Sequence, residues 1–377
     1  MTIAFTHLPA RFLLLLVVAS LLAGCGNRNS GEEEVQNPYV TTPYPLVLPA
    51  GLPQNVTVPT DNALTVEGVD LGRKLFYEVR LSGNGTQSCG SCHQQSRAFT
   101  DGQVRALGAE GQRHRRNTMS LVNLLWEKTF TWDGAATSLE QQARTPLENP
   151  VEMHQLLADG VRKLQQTDLY PPLFQQAFGS STITETNVLK ALSQFERTLI
   201  SANSRYDKYL RREGTLTPTE RAGAAMFNNH PGEVSGLFIR GGTCHHCHIS
   251  ENGLFSSPEF FNNGLDLTFS DPGRGGITSL PADWGKFKAT SLRNIAQTAP
   301  YMHDGRFQTL ESVLDHYNEH VQVASPGIDP NVLLSNTPNG TKLDLTAQEK
   351  AQLLAFLKTL TDSTFLTDKR FSDPFRQ

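Results

Sequence analysis

Two short cysteine motifs constrain this chain more than any other feature. They are Cys89-Gly-Ser-Cys92-His93 and Cys244-His-His-Cys247-His248, and they contain four of the five cysteines. A histidine directly after a Cys-x-x-Cys pair is typical of covalent haem attachment, in which both thiols form thioethers and the histidine binds the iron. The motifs therefore predict two haem c groups with His93 and His248 as proximal ligands. A four-cysteine zinc site is the alternative, and the long separation of the two pairs disfavours it.

The fifth cysteine closes an N-terminal leader. Arg11 precedes a run of apolar or small residues, 12–22, and Leu22-Ala-Gly-Cys25 completes the pattern. The run is too short to cross a bilayer, which needs about 20 residues. Its order is that of a bacterial signal peptide with a lipoprotein cleavage site, and a plain secretory signal is the alternative. We expect residues 1–24 to be removed and Cys25 to carry lipid. The protein would then lie in the periplasm, anchored by its lipid to a bacterial membrane, with the outer membrane as the expected one.

Composition excludes several other classes of protein. The 377 residues are 38% hydrophobic and 19% charged, with a formal net charge of -4. These values fit a globular protein with room for two domains, and they provide no basic field that would attract nucleic acid. The polar, proline-rich segment 25–58 predicts a tether and an extended arm without catalytic residues.

The chain also repeats itself around the two motifs. A Gly-x-x-x-Phe segment precedes each motif, at Gly72 and at Gly223, and a common frame follows each at a constant offset of 171 positions. The frame consists of Ser120-Leu-Val-Asn123, Asp133-Gly134 and Ser138-Leu-Glu140 in the first copy, and of Ser291-Leu-Arg-Asn294, Asp304-Gly305 and Thr309-Leu-Glu311 in the second. We therefore predict a mainly α protein with two tandem cytochrome c-like haem domains and long loops.

The expected domains are residues 59–215 and 216–377, with the C-terminal tail packing back on the first. A capping box with proline at the first helical position, Thr217-Pro-Thr-Glu220, opens the second domain. Residues 310–317 have apolar side chains at helical spacing, which predicts a helix. Residues 230–242 and 251–287 are rich in Gly, Pro, Asn and Ser, which predicts loops.

Several short segments, from about residue 60 to the end, resemble motifs of the bacterial dihaem cytochrome c peroxidase and MauG superfamily. They are Ser88–His93, Arg116-Asn117, Thr131-Trp132-Asp133-Gly134, Gln142, Pro150-Val-Glu152-Met153 and the run Ser291–Gly305. The resemblance implies two haem domains with one calcium ion between the haems. It implies as calcium ligands the Asn117 side chain and the carbonyls of Thr298 and Pro300, completed by water.

The repeat also distinguishes the two haems. At the offset of 171, Tyr317 corresponds to Pro146, which cannot bind iron. If this position faces each haem, the first haem is open to peroxide and the second is six-coordinate. By helical periodicity alone, Tyr317 fits a core aromatic. The resemblance implies an iron-binding tyrosine, as in MauG, where ordinary dihaem peroxidases have methionine. Its competitors are Met302, His316 and His320.

The resemblance assigns further roles around the first haem. Glu152 would transfer the proton during peroxide cleavage, Gln142 would orient the peroxide, and Trp132 would carry charge between the haems. Ala109 occupies a position at which many dihaem peroxidases have a histidine that blocks the iron. We expect the nearby His114 to be solvated among arginines.

Together these features predict a MauG-like enzyme that uses hydrogen peroxide to form high-valent iron and oxidises a Trp or Tyr of a co-secreted partner protein. The resemblance includes the dihaem enzymes of methanobactin operons, which oxidise a Trp of a copper-binding partner, so a copper-binding protein is among the expected partners. Gly242 replaces the interface tryptophan of MauG. The candidate exit points, at which an oxidising equivalent would leave the protein for its partner, are then Trp284, Trp126 and Tyr301.

Two alternatives stay open. An ordinary dihaem cytochrome c peroxidase would take electrons from a small cytochrome or cupredoxin, with Met302 on the second iron. A non-enzymatic dihaem electron carrier would have two six-coordinate irons.

Overall fold

Helices supply most of the regular structure in this computed structural model, which describes residues 39–234, 237–336 and 343–376. The predicted signal peptide and Cys25 lie outside the described residues. The predicted mainly α fold is confirmed. The helices are α1 (Val66–Phe76), α2 (Cys89–Cys92), α3 (Leu139–Glu148), α4 (Leu157–Gln165), α5 (Tyr170–Phe178), α6 (Glu185–Arg197), α7 (Arg205–Leu210), α8 (Pro218–Asn228), α9 (Gly275–Thr278), α10 (Leu310–Asp315), α11 (Pro330–Leu334), α12 (Ala347–Thr359) and α13 (Ser363–Thr367).

Two glycines of the repeat explain how the main helix pairs pack. A Cβ atom on Gly72 would lie 1.9 Å from the carbonyl oxygen of Ala191, and one on Gly223 would lie 1.9 Å from that of Gln352. Helix α1 therefore packs on α6, and α8 on α12, at a distance that only glycine permits. Helix α8 begins at Pro218, and Thr217 and Glu220 form the predicted capping box at its N-terminus.

The frame behind each motif folds in the same way in both copies. Asn123 and Asn294 have φ values of 59° and 60°, and Gly134 and Gly305 have 70° and 71°. Equivalent β-bridges join Phe130 to Ala136 and Tyr301 to Phe307. The sequence repeat therefore corresponds to a repeated backbone.

Each copy contributes to its own hydrophobic core. Cys89 packs against the first core, which α1, α5 and α6 dominate, and Cys244 packs against the second, between α8 and α12. Because the two cysteine pairs belong to different cores, their placement gives no support to a shared zinc site. Phe365 and Phe371 of the C-terminal tail lie in the first core. The domain boundaries themselves stay a prediction.

The segments predicted as loops contain short strands. Strand β1 (Gly232–Val234) pairs antiparallel with β2 (Leu237–Ile239), and β3 (Phe260–Phe261) with β4 (Phe287–Lys288). Strands of two or three residues are too short to produce a readable alternation, so the loop prediction missed them.

The described part of the segment predicted as an extended arm, residues 39–58, packs against the rest of the structure. Leu52 is buried with Ala202 and Leu254, and the Trp126 indole donates a hydrogen bond to the Pro53 carbonyl at 2.9 Å. None of the helices in the described ranges is long and apolar enough to cross a membrane.

A buried acid in the first core yields a prediction on stability. Glu196 is buried, and its Oε2 atom has no hydrogen-bond partner among the described residues. Burial raises its pKa to about 8, against the opposing effect of Arg197. In the unfolded chain this acid ionises near pH 4.3, so the free energy of unfolding should fall as pH rises from about 4.3 to about 8.

Replacing Glu196 with Gln should remove this penalty. Denaturant unfolding is expected to show the variant more stable than the wild type by roughly 1–3 kcal/mol at pH 8, and no such gain at pH 4. Glu148→Gln, which changes a half-buried acid paired with Arg144 at 2.8 Å, is the control. A gain of the same size at both pH values would show that ionisation of Glu196 is not its cause.

Candidate active site

The two cysteine motifs adopt the same turn. The amide of His93 donates to the carbonyl of Cys89 at 2.8 Å, and the amide of His248 donates to that of Cys244 at 3.0 Å. None of the four motif cysteines forms a disulfide within the described residues. In both motifs, therefore, a histidine directly follows a turn that brings two thiols together.

Both histidine rings are held with one nitrogen available. The Nδ1 atom of His93 lies 2.8 Å from the Phe99 carbonyl, and that of His248 lies 3.1 Å from the Thr290 carbonyl. A carbonyl only accepts hydrogen bonds, so Nδ1 carries the proton and Nε2 has the lone pair that a metal requires. Burial lowers the pKa of His93 and lowers that of His248 to about 4, which keeps both rings neutral. This donor set fits haem c attachment at both motifs.

One large cavity connects the second motif with residues of the first half. Cys244, Cys247, His248 and Tyr317 line it, and Asn117 and Trp132 line its other side. Many of its remaining walls are apolar, including Leu292, Ile295, Leu314 and Leu353. Such a cavity suits a large, mostly apolar cofactor with a few polar contacts.

Two of the four candidate axial side chains face the same point in this cavity. The Asn263 amide lies 3.2 Å from the Tyr317 hydroxyl and 3.5 Å from the Met302 sulfur. His316 is buried elsewhere and donates its Nε2 proton to the Asn263 carbonyl at 3.0 Å, and His320 is exposed. The contacts favour Tyr317 or Met302 over either histidine.

The helix that carries Tyr317 changes its geometry at this residue. Helix α10 continues as a π-helix over His316–His320, a rare conformation that is frequent at functional sites. The predicted helix over residues 310–317 therefore forms, but its last turn is wider than an α-helix. Periodicity alone does not reveal such a change, because one additional residue in a turn alters the direction of the following side chains.

The first half brings the predicted peroxide-site residues onto one helix and the turn behind it. Gln142 and Pro146 are four residues apart on α3, and hence on one face. The amide of Met153 donates to the Pro146 carbonyl at 3.0 Å, which ties the turn carrying Glu152 to the helix end. The Gln142 side chain makes no hydrogen bond to another described residue, so its amide is available to a ligand.

Glu152 is largely enclosed by protein. Burial raises its pKa, while His114 and a 3.1 Å hydrogen bond from the Asn149 amide lower it. The amide of Ala109 donates to the Glu152 carbonyl at 2.7 Å. Ala109, which stands where many dihaem peroxidases have the histidine that blocks the iron, is therefore in direct contact with the Glu152 segment.

His114 is not solvated as expected. It is half-buried, and its Nε2 atom is enclosed without a hydrogen-bond partner among the described residues. A β-bridge joins Leu107 to Arg113, and the flanking Arg113 and Arg115 are exposed. In an extended segment successive side chains point to opposite sides, so His114 points inward where its neighbours point outward. The run of arginines concealed this alternation at the level of sequence.

Trp132 joins the two halves through hydrogen bonds. Its indole donates to the Asn117 carbonyl at 2.9 Å, and its own carbonyl accepts from the Lys288 amide at 2.9 Å. The amide of Asn117 donates in turn to the His303 carbonyl at 2.7 Å. Trp132 thus lies on the cavity wall where residues of both halves meet.

The three predicted calcium ligands line this same cavity. The Asn117 side-chain amide group donates to Gln103, which leaves its oxygen without a hydrogen bond from a described residue. The carbonyls of Thr298 and Pro300 likewise accept none from the described part of the chain. Available amide and carbonyl oxygens suit a hard cation.

The three candidate exit points differ in accessibility. Trp284 is 46% exposed, Trp126 is half-buried, and Tyr301 is buried with its hydroxyl bonded to the Ile295 carbonyl. A Cβ atom on Gly242 would lie 3.1 Å from the Cys244 sulfur. Of the three aromatic candidates, Trp284 is therefore the most accessible to a protein partner.

Comparisons with known proteins agree with this architecture. The family described as "Di-haem cytochrome c peroxidase" matches residues 66–215. The methylamine utilization protein MauG of Methylorubrum extorquens is 36% identical over 312 residues, covering 82% of each chain. The cytochrome-c peroxidase IdrP1 of a Pseudomonas species is 30% identical over 336 residues, covering 82% of this chain and 84% of the relative.

A solved structure extends the comparison to three dimensions. The crystal structure of a MauG-like protein associated with microbial copper homeostasis superposes with a TM-score of 0.77 at 39% identity, covering 87% of this chain and 99% of the other. The resemblance predicted from the motifs is thereby confirmed. This chain belongs to the MauG and dihaem cytochrome c peroxidase family and is a haem-dependent, peroxidase-type oxidoreductase.

Proposed function

We propose that this protein is a MauG-like enzyme with two haem c groups, which uses hydrogen peroxide to oxidise a Trp or Tyr of a partner protein. The observation that carries the proposal is the difference between the two halves. Tyr317 lines the cavity together with His248, while Pro146 holds the equivalent position on α3, to which the turn carrying Glu152 is hydrogen-bonded. One site thus has a candidate anionic oxygen ligand, and the other has no ligating side chain there.

Haem iron, when bound at the two motifs, supplies peroxide binding and storage of oxidising equivalents. The chain supplies the proton transfer. Glu152 would accept a proton from the near oxygen of peroxide and return it to the far oxygen, which leaves as water. The Gln142 amide, on the helix to which the Glu152 turn is hydrogen-bonded, would hold the peroxide in line for this transfer.

Trp132 and the calcium ion would serve the region between the halves. The Trp132 ring lies on the shared cavity wall, which suits transfer of charge from one site to the other. Asn117, Thr298 and Pro300 would hold calcium next to it. Because the Asn117 carbonyl accepts the Trp132 hydrogen bond, the cation would also fix the position of the indole.

Tyr317 gives this proposal a spectroscopic prediction. Replacing Tyr317 with Phe removes the oxygen ligand, so the low-spin signal of the second haem should change while ligand binding at the first haem is retained. Electron paramagnetic resonance of the ferric protein measures both. Met302→Leu is the matched control, since its sulfur contacts the same amide. A change in Met302→Leu alone would transfer the axial role to methionine.

The electrons gained by peroxide must equal those lost by the partner, and the atoms must balance. One peroxide accepts two electrons and two protons to give two waters when an aromatic side chain loses two hydrogens in a cross-link. Alternatively, one oxygen is added to the side chain and one water is released. A lipid on Cys25 would hold the enzyme at the periplasmic face of a membrane, where secreted partners, copper-binding ones included, would be available.

Mass spectrometry of the partner tests this function. Secreted proteins with accessible Trp or Tyr would be incubated with enzyme and peroxide, with Glu152→Gln enzyme as the inactive control. We expect a gain of one oxygen or a loss of two hydrogens that depends on active enzyme, and slow oxidation of reduced cytochrome c. Fast turnover with reduced cytochrome or cupredoxin and unchanged partner masses would assign the protein to the ordinary peroxidases.

A further inference from the structure

Trp284 differs from the other two tryptophans in its surroundings. The indoles of Trp126 and Trp132 donate to backbone carbonyls, whereas the exposed indole of Trp284 donates to none of the described residues. Ile277 and Leu280, which are close to it along the chain, are exposed as well. A tryptophan exposed together with aliphatic side chains is typical of a surface that contacts another protein.

The exposed ring belongs to a structured segment, helix α9 and the turn after it. A Cβ atom on Gly275 would lie 2.5 Å from the Cδ1 atom of Trp284, so the indole packs directly on the helix. The Thr278 hydroxyl donates to the Asp283 carboxylate at 2.9 Å, and the Asp283 amide donates to the Leu280 carbonyl at 3.0 Å. These bonds hold the turn, and with it the indole, in one place.

This segment is hydrogen-bonded to the turn that carries Trp132. Arg274 donates through Nη1 to the carbonyls of Asp133 and Gly134, at 3.1 and 3.0 Å. The carbonyl before them, that of Trp132, accepts from the Lys288 amide at 2.9 Å. Three consecutive carbonyls of one turn are thus bound by the two ends of the segment that presents the exposed indole.

The contacts form an unbroken path between the two tryptophans. Arg274 directly precedes Gly275, on which the Trp284 ring packs. Electrons pass through covalent and hydrogen bonds more readily than through open space, so this path suits electron transfer between Trp132 and Trp284. Trp126 and Tyr301 have neither the exposure nor these bonds to the Trp132 turn.

We propose that Trp284 is the residue at which oxidising equivalents leave the enzyme, and that the Trp or Tyr of the partner contacts its exposed ring. Trp284 gives an electron towards Trp132 and its indole proton to water. The partner side chain then returns an electron and a proton to Trp284. Two such transfers supply the two electrons and two protons with which one peroxide becomes two waters. The inference rests on the proposed function and deepens it by naming the contact residue.

Without a partner, the oxidation should stop at Trp284 itself. One peroxide then adds one oxygen atom to the indole and releases one water. The ferric holoprotein would be treated with hydrogen peroxide alone, digested and analysed by peptide mass spectrometry. We expect the added oxygen on Trp284, and none above background on Trp126, Tyr301 or the exposed Tyr209, which is the control for exposure.

Trp132→Phe distinguishes oxidation along the path from direct attack by peroxide in solution. This change leaves Trp284 as exposed as before, so the added oxygen should be lost only if it depends on Trp132. Equal oxidation of Trp284 in wild type and Trp132→Phe would overturn the proposal. Oxygen on Trp126 or Tyr301 in place of Trp284 would overturn it as well.

A second measurement uses a secreted protein that the wild-type enzyme modifies. Trp284→Phe should abolish that modification, Trp284→Tyr should retain it because tyrosine can be oxidised, and Trp126→Phe should match the wild type. Full modification by Trp284→Phe, or loss in Trp284→Tyr as well, would overturn the redox role of the indole. If the wild type modifies no partner, the proposed function fails, while the oxygen on Trp284 still shows where oxidising equivalents reach the surface.

Discussion

Replacing Glu152 with Gln is expected to slow the reaction with hydrogen peroxide by roughly 10² to 10⁴-fold, the usual contribution of a positioned acid or base. The amide has the same shape but cannot take a proton from one oxygen and return it to the other. Stopped-flow absorbance after peroxide addition to the ferric holoprotein measures the rate.

The control for Glu152→Gln is Glu148→Gln, four residues earlier at the end of α3. Glu148 forms an ion pair with Arg144 at 2.8 Å, so this change also removes a carboxylate but none at the site. A normal rate in the Glu152 variant would show that this carboxylate is a structural residue, held by Asn149 for packing alone.

Replacing Trp132 with Phe should have a different and equally large effect. Peroxide should still react at the first haem, because Glu152 and Gln142 are untouched. The oxidation should no longer spread to the second haem, so a near-infrared band for charge transfer between the haems should be lost. Phenylalanine keeps the ring but is harder to oxidise, and it cannot donate to the Asn117 carbonyl.

Trp126→Phe is the matched control for this experiment. Trp126 also donates its indole proton to a backbone carbonyl, that of Pro53, but it packs in a small cluster with Leu52 and Leu254. The near-infrared band should persist in this variant. A band of wild-type strength in Trp132→Phe would exclude Trp132 as the connection between the sites.

Much of the fold is predictable from local signals that have a physical cause. The Gly-x-x-x-Phe repeats mark positions where two helices touch without side chains, and the structure shows that contact at Gly72 and Gly223. The Asn and Asp-Gly positions of the repeat adopt left-handed turns in both copies, at Asn123 and Asn294 for example. The left-handed positions depend on local backbone geometry, which a sequence specifies directly, whereas the glycines show only where another helix can approach and not which helix it is.

The features that were missed depend on contacts between distant segments. The inward direction of His114 results from a hairpin packed on Glu152, and the surrounding arginines suggest only a solvated surface. The shared environment of Tyr317 and Met302 depends on Asn263, which no motif singles out. The strands β3 and β4 are too short for any periodicity.

We propose that the first haem is open and binds peroxide, and that the second haem is ligated by His248 and the Tyr317 tyrosinate. Electron paramagnetic resonance of the resting ferric holoprotein, recorded with its electronic spectrum, tests that division directly. We predict one high-spin signal from the first haem, where Pro146 leaves the iron open, and one low-spin signal from a His248 and Tyr317 ligand pair. Two low-spin ferric signals, or a low-spin signal of the His–Met type, would contradict it.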